Sequence, residues 1–217
     1  MILFSTDTRL KCFSVLLLAL SLAFSSCIEL SETADEAMGC LLPMSVTCDV
    51  SVEEFAETKC ATDLNIQAPS PDDITFVVKD RKGYIMYNDK GLWDEPLFIP
   101  AGTYTVEASF GTNGFGAPAF IGSASGTVDK DEAEQVTVTL SLVNSLVTVT
   151  LDNDLKNHFT PETLTLKSDK ESYTAHYGQY CYVPSGASLE IKLTGTNSAG
   201  QESSLTSSLS SLAAKTA

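Results

Sequence analysis

The sequence predicts an all-β protein made of two Greek-key sandwiches in tandem, and three observations carry this prediction. Apolar and polar side chains alternate in several short segments, which is the period of a half-buried strand. Turn signals rich in Gly, Pro, Asn and Asp separate these segments, without a convincing amphipathic helix between them. The second half of the chain also repeats the order of segments found in the first half. Short strands spaced in this way favour sandwiches over βαβ units.

Length and charge already limit the function. The chain has 217 residues, 43% of them hydrophobic, which is enough for one or two domains with their own cores. It carries 28 acidic and 13 basic side chains, a formal charge of −15. Nucleic-acid binding needs clustered Lys and Arg to displace the counterions of the phosphates, so we expect no nucleic-acid partner.

The N-terminus predicts export. Two basic residues precede the apolar run Phe13–Phe24, and small residues lead from this run to Cys27. The run is too short to span about 30 Å of hydrocarbon, so residues 1–26 are interpreted as a signal peptide. The position of Cys27 resembles the lipobox of bacterial lipoproteins, which implies that this cysteine is acylated. In the lipobox the residue three positions before the cysteine is usually Leu or another aliphatic residue, whereas here it is Phe24. Simple secretion, with cleavage at a nearby site, is therefore the alternative.

Residues 27–38 are acidic and have no apolar periodicity, which indicates a disordered tether that starts at the lipidated Cys27. Several acyl chains at that cysteine would hold the anionic protein at a membrane, its predicted partner. An acidic stretch directly after the cysteine resembles the signal that sends lipoproteins of the Bacteroidota to the outer leaflet of the outer membrane. The resemblance implies a lipid-anchored protein at the cell surface; a merely solvated tether is the alternative.

The remaining cysteines predict no metal site. Four are left once the signal peptide is removed and Cys27 is acylated: Cys40, Cys48, Cys60 and Cys181. Zinc sites typically contain a C-x-x-C pair, which this chain lacks. Export permits disulfides, and a bridge between Cys40 and Cys60 is the favoured one among three pairings. Cys48 is also interpreted as a small buried hydrophobic residue.

The first sandwich is assigned to residues 39–143. Apolar side chains occupy the even positions from Leu42 to Val52, which predicts one half-buried strand. The same alternation recurs at Ile74–Val78, Tyr104–Ala108 and Val136–Leu142. The turn signals DRKG, NDKG and PAG lie between these segments, so each is expected to be a separate strand.

The second sandwich is assigned to residues 144–217, because the apolar phase changes from even to odd at Asn144 and Ser145. Its segment VTVTLD matches MSVTCD of the first half, and CYVPSG matches LFIPAG. The phase after the second Pro-x-Gly turn requires one extra turn residue or a β-bulge. In both turns, proline fixes φ and the following glycine is expected to take a positive φ.

The second repeat contains no counterpart of the first repeat's closing strand, QVTVTLSL. A sandwich without this strand has unpaired backbone groups along one edge. Two explanations are open: the chain is a part of a longer one, or another subunit donates the strand.

Several segments resemble surface lipoproteins of the Bacteroidota that carry the domain of unknown function number 4493. They are the signal that ends at Cys27, GCLLPMSVTCDV, PLFIPAGTYTVEAS, and LEIKLTGTNSAGQ followed by SLAAKTA. The resemblance covers most of residues 39–217. The PAGTYTV motif is also similar to transthyretin-like and fimbrillin-type sandwiches, and the two predicted sandwiches are expected to be immunoglobulin-like or transthyretin-like. The family provides no functional residues to carry over, and a strand normally follows its AKTA segment.

No residues form a catalytic or cofactor-binding motif. His158 and His176 have no recognisable nucleophile or acid partner, so we expect neither an enzyme nor a cofactor. Trp93, in a loop with acidic neighbours, and Phe115, in a glycine-rich loop, are candidate binding residues for a glycan or protein ligand. For Trp93 the alternative is a plug at one end of the sandwich. The sequence thus predicts a non-catalytic surface lipoprotein for adhesion or glycan binding; a pilus anchor or subunit completed by a donor strand is the alternative.

Overall fold

The computed structural model describes residues 37–51, 66–210 and 212–213. All but the first of them belong to one compact unit, Met38–Ala217. The predicted signal peptide, the lipidation site Cys27, and Cys60 lie outside the described residues. Those described form strands, turns and two very short helices, which confirms the all-β fold class.

The elements are named here in chain order. The strands of the described residues are β1 Met38–Leu41, β2 Ser45–Asp49, β3 Thr75–Asp80, β4 Ile85–Lys90, β5 Leu97–Pro100, β6 Gly102–Phe110, β7 Phe120–Val128, β8 Ala133–Glu134, β9 Thr137–Leu142, β10 Ser145–Val147, β11 Phe159–Lys167, β12 Ser172–Ala175, β13 Cys181–Val183, β14 Leu189–Asn197 and β15 Glu202–Leu209. A 3-10 helix spans Pro71–Asp73, and the helix α1 spans Asn153–Lys156.

Six strands of the first half form one sheet in the order β2-β9-β7-β6-β3-β4. Its inner face carries the alternating apolar residues that the sequence predicts, and side chains such as Phe76, Val106 and Leu140 are completely buried. The pairs β3–β6 and β6–β7 are antiparallel, whereas β2 and β9 are parallel. A parallel pair requires a long connection, and here most of the first half of the chain lies between the two strands.

A three-stranded sheet in the order β5-β1-β8 covers the inner face of the six-stranded sheet. Leu41 and Ile99 belong to the core that the two sheets enclose, core 1. The prediction of one strand from Leu42 to Val52 is wrong, because the chain changes sheet there. It leaves β1 at Leu41 and starts β2 at Ser45. The change occurs around Pro43, which has no N–H to contribute to a ladder.

The second half has its own core, core 2, which includes Leu164, Leu166, Val183 and Leu193. A four-stranded antiparallel sheet in the order β12-β11-β14-β15 forms one wall of it. The short antiparallel ladder of β10 and β13 forms the other wall.

The β10–β13 ladder contacts both cores, because successive side chains of a strand point to opposite faces. Leu146 pairs with Tyr182, and both pack against core 1. Their neighbours Val147, Cys181 and Val183 pack in core 2. The apolar phase of the sequence therefore changes at a strand that both cores share. The two halves, predicted as successive sandwiches, have the β10–β13 ladder in common.

The two Pro-x-Gly turns differ. Gly186 has a φ of +76°, in the left-handed region that favours glycine, whereas Gly102 has a φ of 159° and is nearly extended. After Pro100, β6 starts at Gly102, but after β13 the loop 184–188 precedes β14. The extra residue that the sequence phase requires lies in this longer loop.

The two halves also differ at β7 and β15. Strand β7 pairs with β9 at Phe120 and Ile121. Among the described residues, β15 pairs only with β14 and has no strand on its other side. The repeat aligns Val106 of β6 with Ile191 of β14. Their partners, Ala124 in β7 and Ser207 in β15, therefore occupy equivalent positions. Two residues earlier in each strand, Gly122 therefore corresponds to Leu205.

Candidate functional site

The glycine-rich loop 111–119 follows β6 and reaches the second half of the molecule. Gly111 and Gly116 have φ values of +69° and +79°, which side-chain-bearing residues rarely adopt. A Cβ atom at Gly116 would lie 2.7 Å from the hydroxyl oxygen of Tyr173. Glycine is thus required at this position both by the backbone conformation and by the close approach of the tyrosine.

The side chain of Asn144 is completely buried and fixes the loop 111–119 by hydrogen bonds. Its Oδ1 accepts a hydrogen bond from the N–H of Ala119 at 2.5 Å, and its Nδ2 donates to the carbonyl oxygen of Gly114 at 2.9 Å. The backbone N–H of Val143 donates to the carbonyl of Ala119 at 2.8 Å. Satisfied buried amides of this kind fix a single backbone arrangement.

Phe115, one of the predicted binding residues, is half-buried rather than at an exposed tip. Its ring stacks on Tyr173 with the centroids 5.7 Å apart and the planes at 3°. It packs against core 2 although its loop leaves the six-stranded sheet of core 1. Beside it, Gly116 donates its N–H to the carbonyl of Tyr182 at 3.0 Å. The loop 111–119 therefore joins the two cores.

A polar cleft lies next to the stacked rings, and we call it the junction cleft. The turn Ser168–Glu171 and the loop 184–188 form two of its sides, Asn113 lines the third, and its volume is about 470 Å³. The Nδ2 of Asn113 donates to the hydroxyl of Ser185 at 3.1 Å, and its Oδ1 accepts from the N–H of Ser185 at 3.0 Å. The cleft thus combines residues far apart in the sequence.

Ser168 holds the acidic turn of the junction cleft. Its hydroxyl accepts hydrogen bonds from the N–H groups of Lys170 and Glu171 at 3.3 and 3.2 Å, and the serine itself is only 7% exposed. With the backbone satisfied locally, the side chains of Asp169, Lys170 and Glu171 are exposed. The turn supplies two carboxylates and one ammonium group on a fixed backbone.

The junction cleft suits a ligand with many hydroxyl groups. Carboxylates accept hydrogen bonds, ammonium and amide groups donate them, and serine hydroxyls do both. The rings of Phe115 and Tyr173 do not line the cleft, because they stack on each other and Phe115 packs against core 2. Phe115 was predicted from the sequence, whereas the turn at Ser168 was not, although SDKE after an apolar strand is a recognisable turn signal.

Trp93 is buried and is not part of the junction cleft. The ring is 7% exposed, belongs to core 1, and meets Tyr87 edge to face with the centroids 5.0 Å apart. Its indole N–H has no hydrogen-bond partner among the described residues. The hypothesis of an exposed binding ring is therefore wrong for Trp93, because the apolar area of the indole is withdrawn into the core, and the alternative of a plug describes its place.

The described residues hold no cluster of metal-ligating side chains. No group of three or more His, Cys, Asp or Glu side chains in residues 37–51, 66–210 and 212–213 converges on a metal position. His158 follows α1 and His176 follows β12, and both side chains are exposed. None of the helices described has the length and apolarity needed to cross a bilayer.

Of the cysteines, Cys40 lies half-buried in β1 and Cys181 is buried in core 2. Burial raises the pKa of the Cys181 thiol, although a backbone hydrogen bond from Gly116 opposes the shift. The thiol therefore has little nucleophilic character. The predicted bridge from Cys40 to Cys60 remains a prediction, because Cys60 is outside the described residues.

The junction cleft lies far from the point where the folded unit begins. Met38 pairs with Pro100, just before β6 starts at Gly102, and β6 ends at Phe110 directly before the loop 111–119. Nine residues at about 3.3 Å each place the two ends of β6 about 30 Å apart. The start of the unit and the candidate site are thus at opposite ends of the six-stranded sheet.

The profile of the family described as "Domain of unknown function (DUF4493)" matches residues 46–217. No curated relative matches the chain at a significant level. A solved structure of a "putative cell adhesion protein" from Bacteroides fragilis is similar at 11% identity, with 82% of this chain and 89% of that chain covered and a TM-score of 0.42. A "putative adhesin" from Bacteroides ovatus is similar at 6% identity, with 79% and 82% covered and a TM-score of 0.35.

Proposed function

The chain belongs to the family of the domain of unknown function DUF4493, as its residues predict, and from that premise we propose that it is a non-catalytic, surface-displayed glycan-binding module. The observation that carries the proposal is the junction cleft. Its walls are fixed by Asn144 and Ser168, and its exposed groups are those that hydrogen-bond sugar hydroxyls.

The charge of the junction cleft favours neutral glycans. Asp169 and Glu171 bring two negative charges and Lys170 one positive charge, and the whole chain carries −15. Like charges brought together in an interface oppose binding, so uronate and sulfate groups are disfavoured. Neutral sugars lose no such energy, so they suit this cleft better.

The proposal includes lipid anchoring at Cys27 in the outer membrane, at the cell surface. The sequence supports it through the signal peptide that precedes this cysteine. The structure is compatible with it in one respect: a tether attached at Met38 leaves the junction cleft about 30 Å away, at the other end of β6. A binding site displayed by an anchored protein needs such a distance from the membrane.

Calorimetric titration of the purified chain with soluble polysaccharides tests the glycan proposal. A neutral β-glucan, a neutral galactan, desialylated mucin and a polygalacturonate serve as probes. We expect at least one neutral probe to bind and the polygalacturonate not to bind. Glu171→Gln should weaken the binding about tenfold, the effect of losing one hydrogen bond to a ligand, and Asn113→Ala should weaken it because Ser185 loses the hydrogen bonds that hold it in the wall of the cleft.

Glu162→Gln is the matched control, since this exposed carboxylate lies on β11 outside the junction cleft. Its affinity should equal that of the unmodified chain. Binding that survives both cleft substitutions would place the site elsewhere, and no binding to any probe would overturn the proposal.

A second candidate function is a pilus anchor or subunit that accepts a strand from another subunit. The free edge of β15 favours it, because eight residues pair on one side only among the described residues, with a regular register and no proline. A strand could not approach β15 at Leu205 as closely as β9 approaches β7 at Gly122. A Cβ atom at Gly122 would lie 2.4 Å from the carbonyl oxygen of Thr139, and the corresponding position of β15 is Leu205.

An incoming strand would pair along the edge of β15 that has no partner among the described residues. A peptide with the sequence of residues 135–142, QVTVTLSL, should raise the melting temperature of the chain by a few degrees if it binds this edge. A scrambled peptide of the same composition is the control. An unchanged melting temperature at millimolar peptide would exclude this candidate.

A further inference from the structure

The end of the first sandwich at which the folded unit begins is defined by strand register, and we call it the Met38 end. Met38 pairs with Pro100, and the carbonyl of Met38 accepts a hydrogen bond from the N–H of Asp131 at 2.8 Å. Asp80, the last residue of β3, pairs with Tyr104 near the start of β6. The start of β1, the turn between β3 and β4, and the turn between β7 and β8 thus lie together.

Large apolar side chains are exposed at the Met38 end. Met38 is 42% exposed, Tyr84 67%, Ile85 57% and Phe98 73%. Tyr84 and Ile85 are in the turn after β3 and at the start of β4, and Phe98 lies two residues before the end of β5. Single exposed apolar residues need no explanation, but four at one end of a small sandwich indicate a surface that is covered in use.

The turn that carries Tyr84 is rigid. The Oδ1 of Asp80 accepts hydrogen bonds from the N–H groups of Lys82 and Tyr84, both at 2.8 Å. Gly83, with a φ of +86°, donates its N–H to the carbonyl of Asp80 at 2.9 Å. Three successive N–H groups of the turn, those of Lys82, Gly83 and Tyr84, are thus bonded to Asp80, and the exposed Tyr84 and Ile85 extend from this hydrogen-bonded turn.

We infer that the Met38 end rests on the lipid surface to which the chain is anchored, with Tyr84, Ile85, Met38 and Phe98 in contact with the bilayer interface. The inference rests on the proposed lipid anchor. Ten residues separate Cys27 from Met38, and eleven Cα–Cα steps span at most about 40 Å. The bilayer is thus the surface that this end meets at high effective concentration.

The chemistry of these four side chains fits a bilayer interface. Tyrosine concentrates at the level of the lipid headgroups, with its ring toward the hydrocarbon and its hydroxyl in water. Ile, Met and Phe gain free energy as their apolar surface leaves water. Individually these contacts are weak, but the acyl chains of the anchor already hold the protein at the membrane, so the side chains need only orient it.

Charge contributes little to this contact. The Met38 end carries exposed groups of both signs in equal number, Arg81, Lys82 and Lys130 against Asp129, Asp131 and Glu132, and Asp80 is half-buried. Attraction by anionic headgroups is therefore largely cancelled. We expect the contact to be the same on phosphatidylcholine and on phosphatidylglycerol vesicles, and to persist at high salt.

Hydroxyl-radical footprinting with mass spectrometry tests the inference on the full lipoprotein. Oxidation rates are compared between protein in phosphatidylcholine vesicles and the same protein in detergent-free form after removal of its acylated N-terminus. Rates at Met38, Tyr84, Ile85 and Phe98 should fall at least threefold on vesicles. Rates at Ile121 and Tyr173, which are 56% and 37% exposed away from this end, should not change.

Variants separate orientation from mere proximity. Tyr84→Ser combined with Ile85→Ser should restore the oxidation rate of Phe98 on vesicles, whereas Ile121→Ser should leave its protection intact. Protein that floats with vesicles but shows equal rates at Phe98 and Ile121 overturns the inference. Protein that does not float shows instead that the proposed anchor is wrong. In that case, residues 28–217 with an N-terminal hexahistidine can be attached to nickel-chelating lipid. The footprint comparison is then repeated on these vesicles to test the contact without the natural anchor.

Discussion

The buried side chain of Asn144 accepts a hydrogen bond from the backbone N–H of Ala119 at 2.5 Å. Because Asn144 directly precedes β10, this bond connects the start of β10 to the loop 111–119. The same amide donates to Gly114. Asn144→Ala leaves both backbone groups without these partners. We expect it to lower the free energy of unfolding by about 1–3 kcal/mol in urea titrations.

Asn113→Ala is the control for this prediction, because Asn113 makes hydrogen bonds of similar number that are exposed to water. Water replaces exposed partners, so its cost should stay below about 1 kcal/mol. Equal losses for the two variants would contradict the assigned role of Asn144.

Gly122→Ala tests the close approach of β9 to β7. The added Cβ would lie 2.4 Å from the carbonyl oxygen of Thr139, a backbone atom that cannot rotate away. We expect a loss of about 1–3 kcal/mol in the free energy of unfolding, typical of overpacking. At Gly114 the nearest atom to a new Cβ is a carboxylate oxygen of Glu171 at 3.5 Å, so Gly114→Ala should change stability much less. A tolerated Gly122→Ala would show that the strands are farther apart.

The place of Trp93 can be checked by fluorescence, since it is the single tryptophan of the chain. A ring 7% exposed in core 1 should emit at a shorter wavelength than free tryptophan and resist quenching by acrylamide. Unfolding in urea should shift the emission to longer wavelength. If the native chain already emits at the wavelength of the unfolded chain, Trp93 is exposed and its placement in core 1 is wrong.

The thiol of Cys181 should react slowly with alkylating reagents. Burial raises its pKa, so the thiolate fraction at pH 8 is smaller than in the unfolded chain. We expect alkylation at least about tenfold slower in the native protein than in urea, with a rate that increases as the pH is raised. Mass spectrometry of the peptide that contains Cys181 measures both rates. Equal rates would mean that the thiol is accessible and its pKa ordinary.

The predicted bridge between Cys40 and Cys60 can be tested separately. A tryptic digest of periplasmically expressed protein without reductant should contain the two peptides linked, and reductant should separate them. Closing a loop of this length adds about 3 kcal/mol to stability, so Cys60→Ser should lower the melting temperature under oxidising conditions only. Recovery of both cysteines as free thiols would refute the bridge.

Local patterns predicted most strands because side-chain alternation directly reflects one buried face. The phase change at Asn144 and Ser145 was visible for the same reason, and it coincides with β10, whose two faces contact different cores. Pairing between distant segments leaves no such local pattern. The parallel pairs of β1 with β8 and β2 with β9 were therefore not predicted, nor was the change of sheet around Pro43.

The candidate site was predicted only in part, for a related physical reason. Phe115 was identified because aromatic residues in glycine-rich loops often bind ligands, but its stacking on Tyr173 depends on contact between the two halves. Asn113 and the turn at Ser168 meet only in the folded chain, so neither segment alone indicates a cleft. Trp93 has an acidic, loop-like neighbourhood in sequence, yet its large apolar ring is more stable in the core.

The register of β1 has a mechanical consequence. A pull applied at Met38 against a load held near the junction cleft is directed along the strands of the first sandwich, since β1 pairs with β5 and β8 and the six-stranded sheet extends toward the loop 111–119. The ladder hydrogen bonds lie across this direction. They must therefore rupture together in shear instead of opening one after another, so the first sandwich would resist a pull between Met38 and a bound surface.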